Sequence, residues 1–281
     1  MKKRKRSGLR FVISFVATSL IVGVPAIGFQ IYRYRTRPWY EKYSLIAHSM
    51  GGIDGMDYTN SKEAFLFNYE KGYRVFEVDF RKTSDGVLVV RHDWRKNDRD
   101  AYTKKNIPTA EEFLSSPLYG KYTALSFTDV LKLAQEYPDA YFITDTKQAD
   151  LQSAEETMAQ MAQAALALGL TDVLQKQFII QIYNEQMYTA AKQWVNPDNI
   201  IYTVYQLKPE EYTQAALFCA EHDIPVVAVR YTRWNEEVQA MLDTLELVSA
   251  VHTINDLQEA EYYMLNGVAC LYSDFLDPHD F

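Results

Sequence analysis

From residue 43 onward, short apolar runs alternate with longer amphipathic stretches. The apolar runs are rich in Val, Ile, Phe and Tyr and are continuous, which is typical of strands buried on both faces of a parallel sheet. Nine runs are predicted as strands: residues 44–48, 75–80, 87–91, 141–144, 178–182, 200–205, 225–229, 247–252 and 268–272. Helical periodicity between them is clearest at residues 127–136, 151–168, 184–194, 209–222 and 256–265.

This alternation predicts an α/β fold. Eight or nine strands in residues 43–281 favour a closed (β/α)8 TIM barrel over an open doubly wound sheet. The runs at 75–80 and 87–91 are too close for a helical crossover, and the Ser-Asp-Gly sequence at 84–86 predicts a hairpin that accounts for the extra strand. Residues 95–123 fit no regular pattern and are predicted to be an insertion over the barrel mouth.

The N-terminus has a different pattern. Residues 1–10 are rich in lysine and arginine, and the following run from Phe11 to Phe29 has no charged residue. Because about 20 apolar residues span a bilayer, residues 11–32 are predicted to be a transmembrane anchor, with a linker over 33–42. A cleaved signal peptide is the alternative. The basic tail favours a single-pass protein of the cell membrane with its N-terminus in the cytoplasm and its domain outside.

Composition excludes some partners and cofactors. The net charge is −8 and no basic patch occurs in the body of the chain, which argues against nucleic acid. No glycine-rich phosphate loop is present, so nothing indicates a nucleotide cofactor. Cys219 and Cys270 have no metal-ligand spacing, and two buried thiols are favoured over a disulfide.

Several polar residues stand at the carboxyl ends of predicted strands, which converge on the mouth of a TIM barrel. They are His48, Glu77, Asp79, His92, Asp145 and Lys147. Glu77 and Asp79 are two residues apart on one strand face, so their repulsion favours a bound cation, and oxygen ligands favour Mg²⁺ or Ca²⁺. Two imidazoles beside such an ion suit acid/base chemistry on a phosphodiester. Taken singly, each residue has an ordinary structural explanation, such as a salt bridge between Asp145 and Lys147.

The order of these motifs resembles the glycerophosphodiester phosphodiesterase family, within the wider group of barrels that includes phosphatidylinositol-specific phospholipases C. The family signature runs through His-Arg, Glu-Asn-Thr, Glu-x-Asp, Thr-x-Asp-Gly leading to His-Asp, Glu-x-Lys, Trp-Thr-Val-Asn and Thr-Asp. In the same order, this chain has His48-Ser49, Thr59-Asn60-Ser61, Glu77-Val78-Asp79, Thr83-Ser84-Asp85-Gly86 leading to His92-Asp93, Asp145-Thr146-Lys147, His252-Thr253-Ile254-Asn255 and Ser273-Asp274. The match extends over about residues 46–281.

The resemblance implies a role for each matching residue. Glu77, Asp79 and Asp145 would hold one Mg²⁺ or Ca²⁺ ion, and His48 and His92 would be the acid/base pair. The residues implied in substrate binding are Lys147 at the phosphate, Asn60 near the metal, and His252, which stands where the family has a tryptophan lining the substrate pocket.

The chain also departs from the family pattern. Ser49 replaces the family arginine, so a phosphate clamp is missing, and Arg81 or Arg91 are candidates to replace it. Asn255 and Asp274 are predicted to cap a helix or to satisfy backbone groups where the barrel closes.

These observations predict a membrane-anchored, metal-dependent phosphodiesterase that acts on glycerophosphodiesters, lipid headgroups or glycerol-phosphate polymers. Two alternatives stay open. One is a phospholipase C or D-like enzyme that uses the substrate's own hydroxyl group and releases a cyclic phosphate. The other is a noncatalytic binding barrel, against which the paired histidines argue.

Overall fold

The computed structural model describes residues 37–94, 102–147 and 150–281, in a chain that divides into two compact units, residues 1–42 and 43–281. The described part of the first unit contains one short helix, Trp39–Lys42. Within the described ranges, no helix has both the length and the apolar character needed to cross a membrane. The predicted anchor at 11–32 lies outside the described residues.

The second unit is a closed barrel. Its strands are β1 (Leu45–Ala47), β2 (Val75–Lys82), β3 (Leu88–Val90), β4 (Tyr141–Asp145), β5 (Phe178–Ile182), β6 (Ile200–Thr203), β7 (Val226–Arg230), β8 (Val248–His252) and β9 (Cys270–Ser273). Eight of them are parallel and pair in the order β1-β2-β4-β5-β6-β7-β8-β9, and β9 pairs with β1 to close the barrel. β3 is antiparallel to β2. The predicted TIM barrel and hairpin are therefore confirmed.

Helices alternate with the strands along the second unit. They are α1 (Lys62–Glu70), α2 (Ala110–Ser115), α3 (Phe127–Glu136), α4 (Leu151–Leu168), α5 (Thr171–Gln177), α6 (Glu185–Ala191), α7 (Tyr212–Glu221), α8 (Glu236–Thr244) and α9 (Leu257–Leu265). Short 3₁₀ turns occur at Pro197–Asn199, Pro209–Glu211, Tyr231–Arg233 and Pro278–Asp280, and His48–Met50 forms a turn with positive φ angles. Both α3 and α4 have their predicted bounds. Within the insertion predicted at 95–123, the described residues include α2, where a capping box formed by Thr109 and Glu112 stabilises a helix too short to show periodicity.

An aromatic layer supports the wall of the barrel beneath the candidate site. Phe76, Phe142 and Phe178 occupy neighbouring positions on β2, β4 and β5, with ring centroids 6.1 and 5.5 Å apart. Phe65 of α1 packs on them, 4.7 Å from Phe76. Because side chains alternate along a strand, Phe76 points outward to the helices and Glu77 points into the barrel. The packed layer thus fixes the strand that carries the acidic residues.

Candidate active site

The turn after β1 has an unusual backbone that places His48 and Ser49. Ser49 and Met50 have φ angles of +50° and +67°, and Gly51 has +84°. A Cβ atom at Gly51 would lie 2.4 Å from Asn68 Nδ2, which itself donates hydrogen bonds to the carbonyls of Met50 and Gly52. Only glycine combines this conformation with this close approach. The hydrogen bonds from Asn68 therefore hold the turn in one conformation.

Ser49 contacts the acidic residues of the site. Its backbone N–H donates to Glu77 Oε2 at 2.7 Å, and its hydroxyl donates to Asp79 Oδ2 at 2.8 Å. Asn60 supports the same carboxylate, because its amide donates to Asp79 Oδ2 at 2.8 Å and accepts from the Asp79 N–H. Ser49, in the position of the family arginine, and Asn60, predicted to bind substrate, therefore both orient Asp79.

Glu77, Asp79 and Asp145 form a buried acidic cluster. Each contributes a carboxylate oxygen, and these oxygens all lie within 4.8 Å of one another. Asp79 and Asp145 are paired in register on adjacent strands. Burial, together with the charge of Asp79, raises the pKa of Glu77 to about 8. Such crowding of hard oxygen donors fits a divalent cation of the Mg²⁺ or Ca²⁺ type.

Lys147 lies inside this cluster. Its Nζ is 2.6 Å from Asp79 Oδ1 and also donates to the Asp145 carboxylate. Burial opposes its charge, but the attraction of Asp79 and Asp145 raises its pKa well above the usual value. Tyr183 completes this arrangement, because its hydroxyl donates to Asp145 and accepts from the Lys147 N–H. The ammonium group therefore neutralises part of the acidic charge.

His48 is oriented by Asp274. Its Nδ1 is 2.8 Å from Asp274 Oδ1, while Asp274 Oδ2 accepts from Asn255 Nδ2. Burial alone would lower the pKa of His48, but the hydrogen bond with Asp274 and the charges of Glu77 and Asp79 raise it to about 9. Asn255 accepts from the Asp274 N–H, as predicted for backbone closure. Asp274 also contacts Nδ1 of His48, so the other ring nitrogen, Nε2, remains for a reactant.

His92 follows β3 and is held less firmly. Arg81 Nε donates to its backbone carbonyl, and its Nδ1 is 3.6 Å from the Asp93 carboxylate. Burial lowers the pKa of the imidazole. The ring of Tyr58 packs edge-to-face on both candidate histidines, with centroid distances of 4.7 Å to His48 and 4.8 Å to His92. The structure thus brings the two imidazoles to one mouth.

His252 borders a small polar cavity beside the acidic cluster. The cavity has a volume of about 50 Å³ and is lined by His48, Glu77, Asp145, Gln181, Thr203, Tyr205, His252 and Tyr272. Burial lowers the pKa of His252 to about 3, so the ring is neutral. In the described part of the chain, neither His252 Nε2 nor the Tyr272 hydroxyl has a hydrogen-bond partner. Buried polar atoms of this kind indicate a place for a hydrogen-bonding ligand or water.

Both candidate arginines contact the backbone around His92. Arg81 binds the carbonyl of His92, and Arg91 Nε donates to the carbonyl of Asp93 at 2.7 Å. Arg91 also lines a cavity of about 90 Å³ with Tyr58 and His92. Neither arginine occupies the position of Ser49.

Sequence reasoning missed several residues of the site. Tyr58, Tyr183 and Tyr272 carry no motif of their own, although Tyr58 directly precedes the Thr-Asn-Ser motif that was recognised. Their roles depend on the packing of separate strands and loops, which one sequence does not reveal.

Comparison with known proteins gives a consistent result. The family model described as "Glycerophosphoryl diester phosphodiesterase family" matches residues 54–278. No curated protein matches the chain.

Solved structures share the fold at low identity. A glycerophosphodiester phosphodiesterase from Parabacteroides distasonis is 19% identical, with 85% of this chain and 95% of that chain covered and a TM-score of 0.65. An Oleispira antarctica phosphodiesterase in complex with the product sn-glycerol-3-phosphate is 16% identical, with 84% and 94% covered and a TM-score of 0.64. A Thermotoga maritima glycerophosphodiester phosphodiesterase is 18% identical, with 83% and 94% covered and a TM-score of 0.60.

Proposed function

Because the chain belongs to the glycerophosphoryl diester phosphodiesterase family, a family of metal-dependent phosphoric diester hydrolases, we propose that it hydrolyses glycerophosphodiester-type substrates. The observation that carries the proposal is the convergence of a buried acidic cluster and two histidines on one barrel mouth. The cluster, Glu77, Asp79 and Asp145, would hold one Mg²⁺ or Ca²⁺ ion. When bound, such an ion withdraws negative charge from the phosphoryl oxygens.

The opposite pKa shifts of the two histidines suggest their roles. His48, whose hydrogen bond with the Asp274 carboxylate raises its pKa, suits the general acid that protonates the leaving alkoxide. His92, whose pKa is lowered, is neutral and suits the base that accepts a proton from the attacking hydroxyl group. Environments that shift two titratable groups in opposite directions are typical of acid/base pairs.

The cavity beside His252 suits a small hydroxylated part of the substrate. Its volume of about 50 Å³ accommodates about three to five water-sized groups at 10–15 Å³ each, which fits a small polar group. Hydroxyl groups in the cavity would form hydrogen bonds with His252 Nε2 and the Tyr272 hydroxyl, which lack partners among the described residues. The side chains of Gln181 and Thr203 also line the cavity and offer further polar atoms. A glycerol moiety meets both requirements.

The test uses the purified full-length chain in detergent. A glycerol-bearing phosphodiester and bis(p-nitrophenyl) phosphate are assayed with Mg²⁺, Ca²⁺ or EDTA, beside Glu77→Ala and the exposed control Glu136→Ala. We expect metal-dependent turnover that Glu77→Ala abolishes and Glu136→Ala preserves. A cyclic phosphate among the products would instead indicate internal attack, and metal binding without turnover would indicate a binding barrel.

We also propose that residues 11–32 anchor the barrel at the outer face of the cell membrane, which would keep the site near lipid headgroups or glycerol-phosphate polymers. The uncharged run from Phe11 to Phe29 after a basic cluster supports this proposal. Fractionation and protease treatment of intact cells and spheroplasts test it. Recovery of the full-length chain in the soluble fraction, or protection of the barrel in spheroplasts, would contradict it.

A further inference from the structure

Tyr58 lies at the mouth of the barrel in contact with both candidate catalytic histidines. Its ring meets His48 at an interplanar angle of 82° and His92 at 68°, both edge-to-face. This is a favourable geometry for aromatic rings. A single side chain that contacts both members of an acid/base pair is a candidate for controlling their orientation.

The two histidines differ in what else holds them. His48 has its hydrogen bond with Asp274, the arrangement by which a catalytic histidine is commonly oriented. In the described residues, the imidazole of His92 makes no hydrogen bond, and its separation of 3.6 Å from the carboxylate of Asp93 exceeds hydrogen-bond length. The side chain of His92 is 41% exposed, so burial restrains it weakly. Among the ring contacts of the described residues, the one that His92 makes is with Tyr58.

The backbone of Tyr58 is fixed well enough to act as a support. Tyr58 has a φ angle of +51°, which a bulky residue adopts only when its surroundings enforce it. The next residues provide that enforcement, because Asn60 makes two hydrogen bonds with Asp79 and the hydroxyl of Ser61 caps α1. From the insertion, the hydroxyl of Tyr119 donates to the Tyr58 carbonyl at 3.4 Å.

We propose that Tyr58 is a positioning residue that holds the imidazole of His92 in its reactive orientation, in place of the carboxylate partner that His48 has. The kinetic test of this inference rests on the proposed function. The ring makes the contact, so the hydroxyl group is dispensable. Loss of an aromatic pair worth about 0.5–1.5 kcal/mol corresponds to a two- to tenfold fall in kcat.

The kinetic test compares Tyr58→Leu, Tyr58→Phe and the control Tyr231→Leu, which removes a similarly exposed tyrosine from a different loop. We expect Tyr58→Leu to lower kcat two- to tenfold with KM within twofold of wild type. Tyr58→Phe and Tyr231→Leu should keep kcat within twofold. In a His92→Ala background, Tyr58→Leu should cause no further loss. A kcat unaffected by Tyr58→Leu, or an undiminished loss in the His92→Ala background, would overturn the proposal.

A second measurement does not depend on turnover. NMR of histidine-labelled protein, with His92 assigned through His92→Ala, reports the ring-current field at its Hε1 proton. That resonance should move in Tyr58→Leu and stay near its wild-type position in Tyr58→Phe and Tyr231→Leu. An unmoved resonance in Tyr58→Leu would refute the contact. If the wild-type chain hydrolyses no phosphodiester, the proposed function fails, and this measurement still decides whether the Tyr58 ring contacts His92 in the folded protein.

Discussion

Replacing Asp274 with Asn tests the proposed role of His48. The substitution keeps the size of the side chain and removes its charge from the 2.8 Å contact with His48 Nδ1. A hydrogen bond with a charged group contributes about 1.5–3 kcal/mol. Each 1.36 kcal/mol of lost transition-state stabilisation lowers the rate tenfold. If the whole energy of this hydrogen bond contributes to the transition state, kcat of Asp274→Asn should fall about 13- to 160-fold.

The pH profile distinguishes this mechanism from a general structural defect. The pKa of His48 is raised to about 9, partly through Asp274, so Asn should move it toward its ordinary value of 6.5. If protonated His48 is the general acid, the alkaline limb of the kcat/KM profile moves to lower pH. The assay is a kcat/KM titration of wild type, Asp274→Asn and the exposed control Asp280→Asn. A large loss of activity with an unmoved limb would refute the assigned role of His48.

The same substitution predicts a change in stability with a defined sign. Because the pKa of His48 is higher in the folded state than its ordinary 6.5, protonation stabilises the fold below about pH 6.5, and this contribution is lost as pH rises through about 9. Asp274→Asn should therefore destabilise the protein more at pH 6 than at pH 10. Urea unfolding at both pH values measures the difference, and equal destabilisation at the two would contradict the linkage.

Three further predictions concern the metal and the scaffold. Mg²⁺ or Ca²⁺ at about 100 times its Kd should raise the free energy of unfolding by about 2.7 kcal/mol, and an unchanged Tm with and without EDTA would exclude a folded-state site. Lys147→Met leaves the carboxylates of Asp79 and Asp145 without their ammonium partner, so urea unfolding should show destabilisation of about 3–5 kcal/mol in EDTA and less with metal. Gly51→Ala should destabilise the fold more than Gly55→Ala, because both have positive φ but a Cβ atom meets other atoms only at Gly51, and equal Tm values would contradict the steric argument.

Much of the fold could be predicted from periodicity alone. Continuous apolar strands and the long amphipathic helix α4 have patterns that local sequence determines, so the barrel and the bounds of Leu151–Leu168 were predictable. Helices α2 and α5, with six and seven residues, were not predicted. In so few residues, burial against the barrel and capping contribute more than any repeating pattern.

The candidate site was predictable where its residues lie on strands of the barrel, as with Glu77, Asp79 and Asp145. It was not predictable where the partner comes from a distant part of the chain. The contact between His48 and Asp274 joins residues 226 positions apart, and Tyr58 meets His92 from another loop. Motif order identified His48 and His92, but their different supports depend on tertiary packing.

The placement of Lys147 can be reconciled with a role at the phosphate. Its ammonium is held by Asp79 and Asp145, which are two of the three carboxylates that would bind the cation. A divalent ion bound by the same carboxylates would replace the charge that Lys147 now supplies, which would release the ammonium to turn toward the mouth. We therefore expect Lys147 to contribute to phosphate binding only when metal is present. The serine at position 49 makes this dependence of Lys147 on the metal more important. Ser49 has no positive charge to offer a phosphate, and its hydroxyl already donates a hydrogen bond to Asp79.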